Sequence, residues 1–330
     1  MKNENLKLVR NKPIDTSYLP TPKNFDEYIG QEHAKKLILA LFEGCRLSNA
    51  IMPHMLFTGP SGGGKTEIVR ITTEKIGAVY HRIMVTPDLS ECDFLHLVDK
   101  AEEKYPDKLL VFHLDEAHNL NNRLTEMFYS FIETSRLPRS ADEFDMDPLV
   151  TRKIQNLVVI FSGNKPGAIK KELRNRLISI ELDDYSFDEL KQILLQGSRK
   201  KGLSIDEKAI EKLVLASQSV PRTGLMLLKE ISLFSAGHKI DLAIIDNFFS
   251  LKKISSTGFS YYHMKMLNFL FKQPGYTARL GVLASILGID TKLIQHTIEP
   301  TLLRKHLITT TTMGRKLTRK GVDFIAETVS

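Results

Sequence analysis

Apolar and polar positions follow two different rhythms along the chain, and the change falls near residue 182. Before it, short apolar stretches occupy residues 55–58, 79–85, 109–114, 157–161 and 177–182. Helical stretches or long connections separate most of them. Short buried strands in this rhythm predict an α/β core with a five-stranded, mostly parallel sheet covered on both faces. A helical pattern precedes the first strand, with apolar side chains at Ala34, Leu37, Ile38, Leu41 and Phe42.

After residue 182 the pattern predicts helices and then a small hairpin. Helical periodicity covers residues 186–200, 206–218, 222–236 and 241–249. The run 255–258 (SSTG) indicates a linker, and further helices follow at 261–272, 278–287 and 291–305. Short strands at 307–310 and 316–318 flank a turn at 313–314. Three helices plus a small basic hairpin are typical of a winged helix.

These changes predict three domains. The α/β core takes residues 1–182, including an N-terminal arm at 1–24; a helical lid takes 183–254; and the winged helix takes 255–330. A length of 330 residues agrees with two or three units, since domains commonly have about 100 to 200 residues.

Composition narrows the class of protein. Hydrophobic residues make up 42% and charged residues 26%, which excludes a disordered tail or a fibre. No apolar run approaches the roughly 18 residues of a membrane helix, and the N-terminus lacks the apolar part of a secretory signal. Cys45 and Cys92 are the only cysteines, so a disulfide framework is excluded and a cytoplasmic location is expected.

The net charge of +7 is concentrated at the C-terminal end. Residues 258–330 contain ten Lys or Arg against four acids, whereas residues 1–257 contain 36 against 35. The predicted winged helix therefore carries the charge that would face a polyanion such as DNA. A solubilising surface is the alternative.

The strongest chemical signal is a glycine-rich run between a predicted strand and a predicted helix. In such a run backbone N–H groups point at phosphate oxygens, Lys65 places a charge at the β and γ phosphates, and the Thr66 hydroxyl can bind Mg²⁺. The following helix N-terminus also favours phosphate. This predicts a site for ATP and Mg²⁺, against the alternative of a flexible loop. The run consists of Gly59, Pro60, Ser61, Gly62, Gly63, Gly64, Lys65 and Thr66.

Polar residues at the ends of two other strands can complete this site. Asp115 follows the strand at 109–114 and would hold Mg²⁺, and Glu116 would activate the attacking water. Both acids could instead cap a helix. Asn164 follows the strand at 157–161 and could bind the γ phosphate or the water, unless it only forms a turn. His113, inside a strand, is interpreted as a satisfied, half-buried histidine.

Three arginines are further candidates. Arg174 and Arg176 lie just before the last strand and could reach a neighbouring subunit's nucleotide, where they would stabilise transition-state charge. Arg222 follows Pro221 at the start of a predicted helix and could reach the phosphates from the lid side. Surface arginines are common, so an ordinary surface role is the alternative.

Taken in order, these segments resemble the AAA+ ATPases and, more narrowly, the RuvB family of Holliday-junction branch-migration helicases, as a divergent member. The resemblance covers about residues 19–326. The segments that carry it are 25–31 (FDEYIGQ), the glycine-rich run, Asp115-Glu116, Asn164, 173–176 (LRNR), Val220-Pro221-Arg222 and 298–300 (IEP).

The resemblance implies roles for these residues. Tyr28 and Ile29 match the stretch that packs on adenine, Asn164 matches sensor 1, and Arg222 matches sensor 2. Arg174 is favoured as the arginine finger, with Arg176 second. The family resemblance further implies six-membered rings around duplex DNA and a part in DNA recombination and repair, with ATP hydrolysis driving the motion.

The C-terminal part is similar to the RuvB winged helix, whose wing lies near DNA. Phosphate contacts are therefore expected from Thr311, Thr312, Arg315 and Lys316, without reading of sequence. The alternative for Arg315 is that it caps a hairpin. We expect no membrane association.

Some positions depart from the family pattern. Thr21 stands where the RuvB arm usually has arginine, and residues 162–165 read SGNK where the family tends to read ATTR. The stretch where the family's hairpin grips its partner RuvA holds an acidic cluster here, at 142–147 (DEFDMD). A RuvA-like partner is therefore left open, and a specialised relative from a phage, mobile element or defence locus is an option.

Two other function classes share parts of this pattern. A nucleotide-switched assembly factor, of the clamp-loader or transposition-helper kind, would use every ATPase residue without sustained translocation. A transcription regulator would use the winged helix to read a specific site. Strand displacement or migration upon hydrolysis distinguishes the motor from the first, and a salt-resistant specific footprint would indicate the second.

Overall fold

The computed structural model describes residues 21–138, 150–237 and 239–329, which form two compact units. The sheet unit contains the described residues of 21–193 together with 219–222, and the helical unit contains 194–218 and 223–329. The predicted three-domain division at 182 and 254 stays a prediction, and most of the predicted arm lies outside the described residues. Among the residues described, none of the helices has both the length and the apolar content needed to cross a bilayer.

A five-stranded parallel sheet forms the centre of the sheet unit and confirms the predicted fold class. Its strands run in the order β2-β3-β6-β1-β7, while β4 and β5 form a separate antiparallel pair. Each predicted strand begins and ends within two residues of an observed one. The strands are β1 (Met55–Thr58), β2 (Val79–Met84), β3 (Leu110–Asp115), β4 (Arg136–Pro138), β5 (Thr151–Lys153), β6 (Leu157–Gly163) and β7 (Ile178–Glu181).

Helices cover both faces of the sheet, because alternate residues of the central strands point to opposite cores. On β3, Phe112 packs with Phe94 and Phe128 on one face, whereas Val111 packs with Ile38 and Ile68 on the other. The helices are α1 (Glu32–Ser48), α2 (Lys65–Lys75), α3 (Glu91–Lys104), α4 (Asn122–Thr134) and α5 (Lys171–Arg174).

Four helices follow the sheet in the chain, as predicted. They are α6 (Phe187–Lys200), α7 (Glu207–Ala216), α8 (Pro221–Phe234) and α9 (Leu242–Lys252).

A winged helix closes the chain and agrees with the C-terminal prediction. Its three-stranded sheet has the order β8-β10-β9, and the turn between β9 and β10 consists of Thr312 and Met313. Its elements are α10 (Tyr261–Phe271), β8 (Thr277–Ala278), α11 (Leu280–Leu287), α12 (Thr291–Leu293), a π-helical turn (Ile294–Ile298), α13 (Glu299–Arg304), β9 (Ile308–Thr311), β10 (Gly314–Leu317) and α14 (Arg319–Val329).

Two details of this part differ from the sequence-based prediction. The helix predicted from residue 278 begins at Leu280, because Thr277 and Ala278 pair with β10. Helix α14 was not predicted. It nevertheless packs on the core of the winged helix, where Ile325 is fully buried and the Phe324 ring lies 5.4 Å from that of Phe259.

Candidate nucleotide site and DNA interface

The glycine-rich loop lies between β1 and α2. Two of its glycines have backbone angles that disfavour other residues, and neighbouring atoms leave no room there for a Cβ atom. Gly62 and Gly64 have φ of 74° and 93°. A Cβ atom on Gly64 would lie 2.3 Å from Oη of Tyr28, and one on Gly62 would lie 2.8 Å from Cγ1 of Val220. Residues with a side chain would not fit at these two positions, so the loop needs glycine there.

Lys65 is buried at the start of α2 and is bound by its own loop. Its Nζ donates to the carbonyl oxygens of Gly59 at 3.0 Å and Pro60 at 2.9 Å. Burial lowers the pKa of the ammonium group, while Glu116 and Asp115 act to raise it. Because the two carbonyls carry no net charge, the loop stays positive toward a bound anion such as triphosphate.

Asp115 and Thr66 bring two hard oxygen ligands together. The Thr66 Oγ1 atom lies 3.2 Å from Oδ2 of Asp115, at the carboxyl end of β3. Burial alone would raise the pKa of Asp115, but hydrogen bonds from Ser162 and Arg82 outweigh it, so the pKa lies below its ordinary value. An ionised carboxylate beside a hydroxyl fits the oxygen ligands that Mg²⁺ prefers.

Glu116 follows Asp115 in a strained backbone conformation. Its backbone is left-handed, with φ 58° and ψ 43°, which costs about 1 to 3 kcal/mol for a residue other than glycine. Its Oε2 lies 3.3 Å from Nδ1 of His118, without hydrogen-bond geometry. Within the described residues neither atom has a hydrogen-bond partner. Both atoms are buried from solvent.

A network of buried hydrogen bonds behind Asp115 was not predicted from sequence. Ser162 donates to Oδ1 of Asp115 at 2.6 Å, and His113 bonds to Ser162 at 2.8 Å and to Tyr80 at 2.7 Å. His113 is satisfied as predicted, but it is fully buried rather than half-buried. Arg82 on β2, also missed, donates to Oδ2 of Asp115.

Asn164 and Arg222 come from two separate segments of the sheet unit. Asn164 is exposed just beyond β6, whose Ser162 pairs in register with Asp115. Arg222 is exposed beside the glycine-rich loop, since a Cβ on Gly62 would lie 3.1 Å from the Cβ of Arg222. The sheet unit thus brings both candidate sensors to the edge that carries the loop.

The two finger candidates lie next to the end of α5. Arg176 donates from Nε to Glu133 at 2.7 Å and from Nη2 to Oη of Tyr129 at 2.6 Å, and its guanidinium stacks 3.8 Å from the Tyr129 ring. Its guanidinium is therefore fixed within its own subunit. Arg174 is the last residue of α5.

The predicted adenine-contacting stretch borders the loop. Oη of buried Tyr28 lies 3.3 Å from the carbonyl of Gly64, and Ile29 is half-buried. Tyr185, which the sequence analysis missed, donates to Tyr28 at 3.2 Å. Burial raises the pKa of both phenols, so both remain protonated donors.

The wing presents three of its four predicted DNA contacts to solvent. Thr311, Thr312 and Lys316 are exposed. Arg315 is instead bound in bidentate fashion to buried Glu299, with Nε–Oε1 at 2.5 Å and Nη2–Oε2 at 3.0 Å. Its guanidinium is already paired within the winged helix.

Comparisons with known proteins agree with this geometry. A family model described as the Holliday junction DNA helicase RuvB P-loop domain matches residues 21–182, and one for the RuvB C-terminal winged helix domain matches residues 256–326. The chain is 26% identical to a RuvB subunit of the Holliday junction branch migration complex from Mycoplasmopsis pulmonis, over 92% of this chain and 96% of that protein.

A second relative and a solved structure give the same result. The RuvB subunit from Kosmotoga olearia is 27% identical over 91% of this chain and 88% of its own length. The structure of the Thermotoga maritima RuvB Holliday junction branch migration motor superposes with a TM-score of 0.75 at 25% identity, over 92% of this chain and 97% of that one.

Proposed function

Because the chain belongs to the RuvB family, we propose that it is an ATP-hydrolysing motor that drives branch migration in Holliday junction DNA. One observation carries the proposal: Lys65 and Thr66 of a phosphate-binding loop face Asp115 and Glu116 in a chain that ends in a winged helix. The first part supplies hydrolysis, and the second binds DNA.

The proposed hydrolysis divides the work among four groups. Lys65 binds the phosphates, while Thr66 and Asp115 hold Mg²⁺, which neutralises phosphate charge when bound. Glu116 orients the attacking water and takes its proton. The Glu116 carboxylate acts electrostatically on Lys65 of the phosphate-binding loop, which supports this role.

The proposed sensors read the state of the nucleotide. Asn164 hydrogen-bonds the γ phosphate or the water, and Arg222 approaches the phosphates beside the glycine-rich loop. Tyr28 and Ile29 border the adenine. One of Arg174 and Arg176 reaches the nucleotide of a neighbouring copy, so the working form is a homo-oligomer, and a hexamer is the expected ring.

DNA is proposed to bind through phosphates at the wing. The exposed Thr311, Thr312 and Lys316, together with the excess of positive charge in residues 258–330, support contacts that position the motor without reading sequence. We place this activity in the cytoplasm. No RuvA-like partner is proposed, because the β4–β5 pair leads into the acidic stretch rather than an apolar one.

The test is ATPase turnover with no DNA, with linear duplex and with a four-way junction, followed by a strand-migration assay and imaging of the oligomer. We expect stimulation by the junction and migration of its arms. Hydrolysis without strand movement would support the assembly-factor alternative.

Lys65→Ala serves as the internal control. We expect it to abolish turnover and most nucleotide binding, since the phosphate charge loses its counter-ion. Unchanged turnover in this variant would remove the loop from the mechanism.

A further inference from the structure

A guanidinium occupies the edge of the proposed magnesium site. Arg82 donates to Oδ2 of Asp115 from Nη2 at 2.6 Å and from Nε at 3.1 Å. The Thr66 hydroxyl lies 3.2 Å from the same oxygen. The carboxylate oxygen that faces Thr66, where a hard cation would be held, is therefore already bound to a cation of the protein.

The other oxygen of Asp115 is held by neutral donors. Oδ1 accepts a hydrogen bond from Ser162 at 2.6 Å and one from the backbone N–H of Glu116 at 3.1 Å. These bonds orient the carboxylate but leave its charge in place. Ser162 is fully buried, whereas the Arg82 side chain is 42% exposed. Arg82 can therefore move into solvent while the carboxylate stays where it is.

We propose that Arg82 is an internal counter-cation of the magnesium site, paired with Asp115 while no metal is bound and released when Mg²⁺ arrives with nucleotide. The inference rests on the proposed nucleotide site. Two cations at bonding distance from one oxygen repel each other, so Arg82 and the metal compete. Arg82 would thus keep a buried carboxylate paired between turnovers and set the Mg²⁺ concentration at which the site fills.

The direct test is a titration of MgCl₂ into protein mixed with a fluorescent ADP analogue. For Arg82→Gln we expect half-saturation at a Mg²⁺ concentration about 3- to 10-fold lower than in the wild type, because a charge-assisted hydrogen bond has been removed but its donor was partly solvated. Arg82→Lys keeps the positive charge but not the pair of donors on Oδ2, so its half-saturation should fall between those of Arg82→Gln and the wild type. Arg46→Gln removes an exposed arginine paired with Glu43 on α1 and should match the wild type.

Thermal unfolding gives a second measurement. In EDTA we expect Arg82→Gln to have a lower Tm than the wild type, because Asp115 loses its counter-cation, and we expect Mg-ADP to narrow that difference. If Arg82→Gln does not fold, Arg82→Lys carries the test. An unchanged or higher Mg²⁺ requirement would overturn the inference. Failure of the wild type to bind nucleotide with Mg²⁺ would instead overturn the proposed nucleotide site.

Discussion

The carboxylate of Asp115 is oriented by a chain of hydrogen bonds that ends at a tyrosine. Ser162 has one hydroxyl proton and donates it to Asp115, so it accepts from Nε2–H of His113. Nδ1 of His113 must then accept from Tyr80. Burial lowers the pKa of His113 to about 4, which keeps this neutral tautomer at neutral pH. The donor and the acceptor of each hydrogen bond between Tyr80 and Asp115 are therefore defined.

Ser162→Ala should interrupt this chain at its centre. Asp115 would keep one neutral donor on Oδ1, and Nε2 of His113 would lose its partner. We expect kcat for ATP hydrolysis to fall about 10- to 100-fold and the free energy of unfolding to fall by about 1 to 3 kcal/mol. Steady-state ATPase assays and urea unfolding measure the two effects. Ser198→Ala, the same change at a buried serine of α6, should leave kcat unaltered; equal losses would contradict an orienting role.

The residues of the site differ in how far sequence could predict them. The loop and the acid pair are local patterns, so Lys65 and Asp115 were assigned from spacing alone. Arg82 acts across a strand boundary, and that contact exists because β2 lies next to β3, which no local pattern reports. The available signal was an arginine inside the predicted strand at 79–85. Tyr185 had no such signal in the sequence, because it lies in the segment after β7, where no motif marks it.

At the scale of elements, the register of the wing decides which side chains can meet DNA. Side chains alternate along β10, so Arg315 shares a face with buried Leu317, whereas Lys316 points the other way. Both were expected as phosphate contacts from the resemblance to the RuvB winged helix, which does not state the register of the strand. Pairing of Arg315 with Glu299 on α13 ties the wing to that helix.

Lys316→Gln and Arg315→Gln should therefore behave differently. The first should weaken binding about equally across DNA sequences and reduce the slope of log affinity against log salt by about 1. The second should leave a buried carboxylate unpaired and destabilise the protein by about 3 to 5 kcal/mol. Fluorescence anisotropy at several salt concentrations and thermal unfolding measure these outcomes. A normally stable Arg315→Gln with the binding loss of Lys316→Gln would restore the phosphate-contact prediction.

Helix α10 contains a buried histidine that makes stability depend on pH. Burial lowers the pKa of His263 from 6.5 to about 4, and its Nε2 has no hydrogen-bond partner among the described residues. As pH falls, His263 takes up a proton in the unfolded chain before it does so in the folded protein. The contribution of neutral His263 to stability is therefore complete above pH 6.5 and is lost as pH falls from 6.5 toward 4. The full loss is at most about 3 kcal/mol.

His263→Leu should reduce the slope of stability against pH in this range, while His54 and His113, whose pKa values burial also lowers to about 4, keep the rest of it. Chemical unfolding between pH 4 and 7.5 measures it, with His296→Leu as a control at an exposed position. We expect the His296→Leu profile to keep the wild-type slope. A slope unchanged in His263→Leu would mean that other groups cause the pH dependence.

At the scale of the whole molecule, the sequence predicted the order of the parts along the chain, and the predicted domain bounds at 182 and 254 stay a prediction. The change from strands to helices near residue 182 and the winged helix were both visible as changes of periodicity. The compact units cut the chain elsewhere, and residues 219–222 belong with the sheet rather than with the helices that flank them. This return of the chain brings Arg222 to the glycine-rich loop. The sequence pattern suggested that approach but did not indicate that residues 219–222 pack with the sheet.

The proposed sharing of the active site between neighbouring copies makes a prediction about mixed oligomers. Arg174→Ala and Arg176→Ala should each lower the rate of ATP hydrolysis. Only the arginine finger acts on a neighbour's nucleotide. Loss of the finger can therefore be rescued by a second variant whose phosphate-binding loop is inactive but whose finger is intact. Lys65→Ala is such a variant. In a 1:1 mixture about a quarter of the interfaces join an intact loop to an intact finger, and turnover should recover to about that fraction of the wild-type value.

The two arginine variants control for each other in this experiment. Arg176 is fixed in its own subunit by Glu133 and Tyr129, so its removal also disturbs the junction of α4 and α5, and that damage cannot be rescued from outside. Rescue of the Arg174→Ala mixture alone would support the preference drawn from sequence, and rescue of the Arg176→Ala mixture alone would reverse it. If the Arg174→Ala mixture does not recover, Arg174 does not act on a neighbour's nucleotide, and the preference drawn from sequence is wrong.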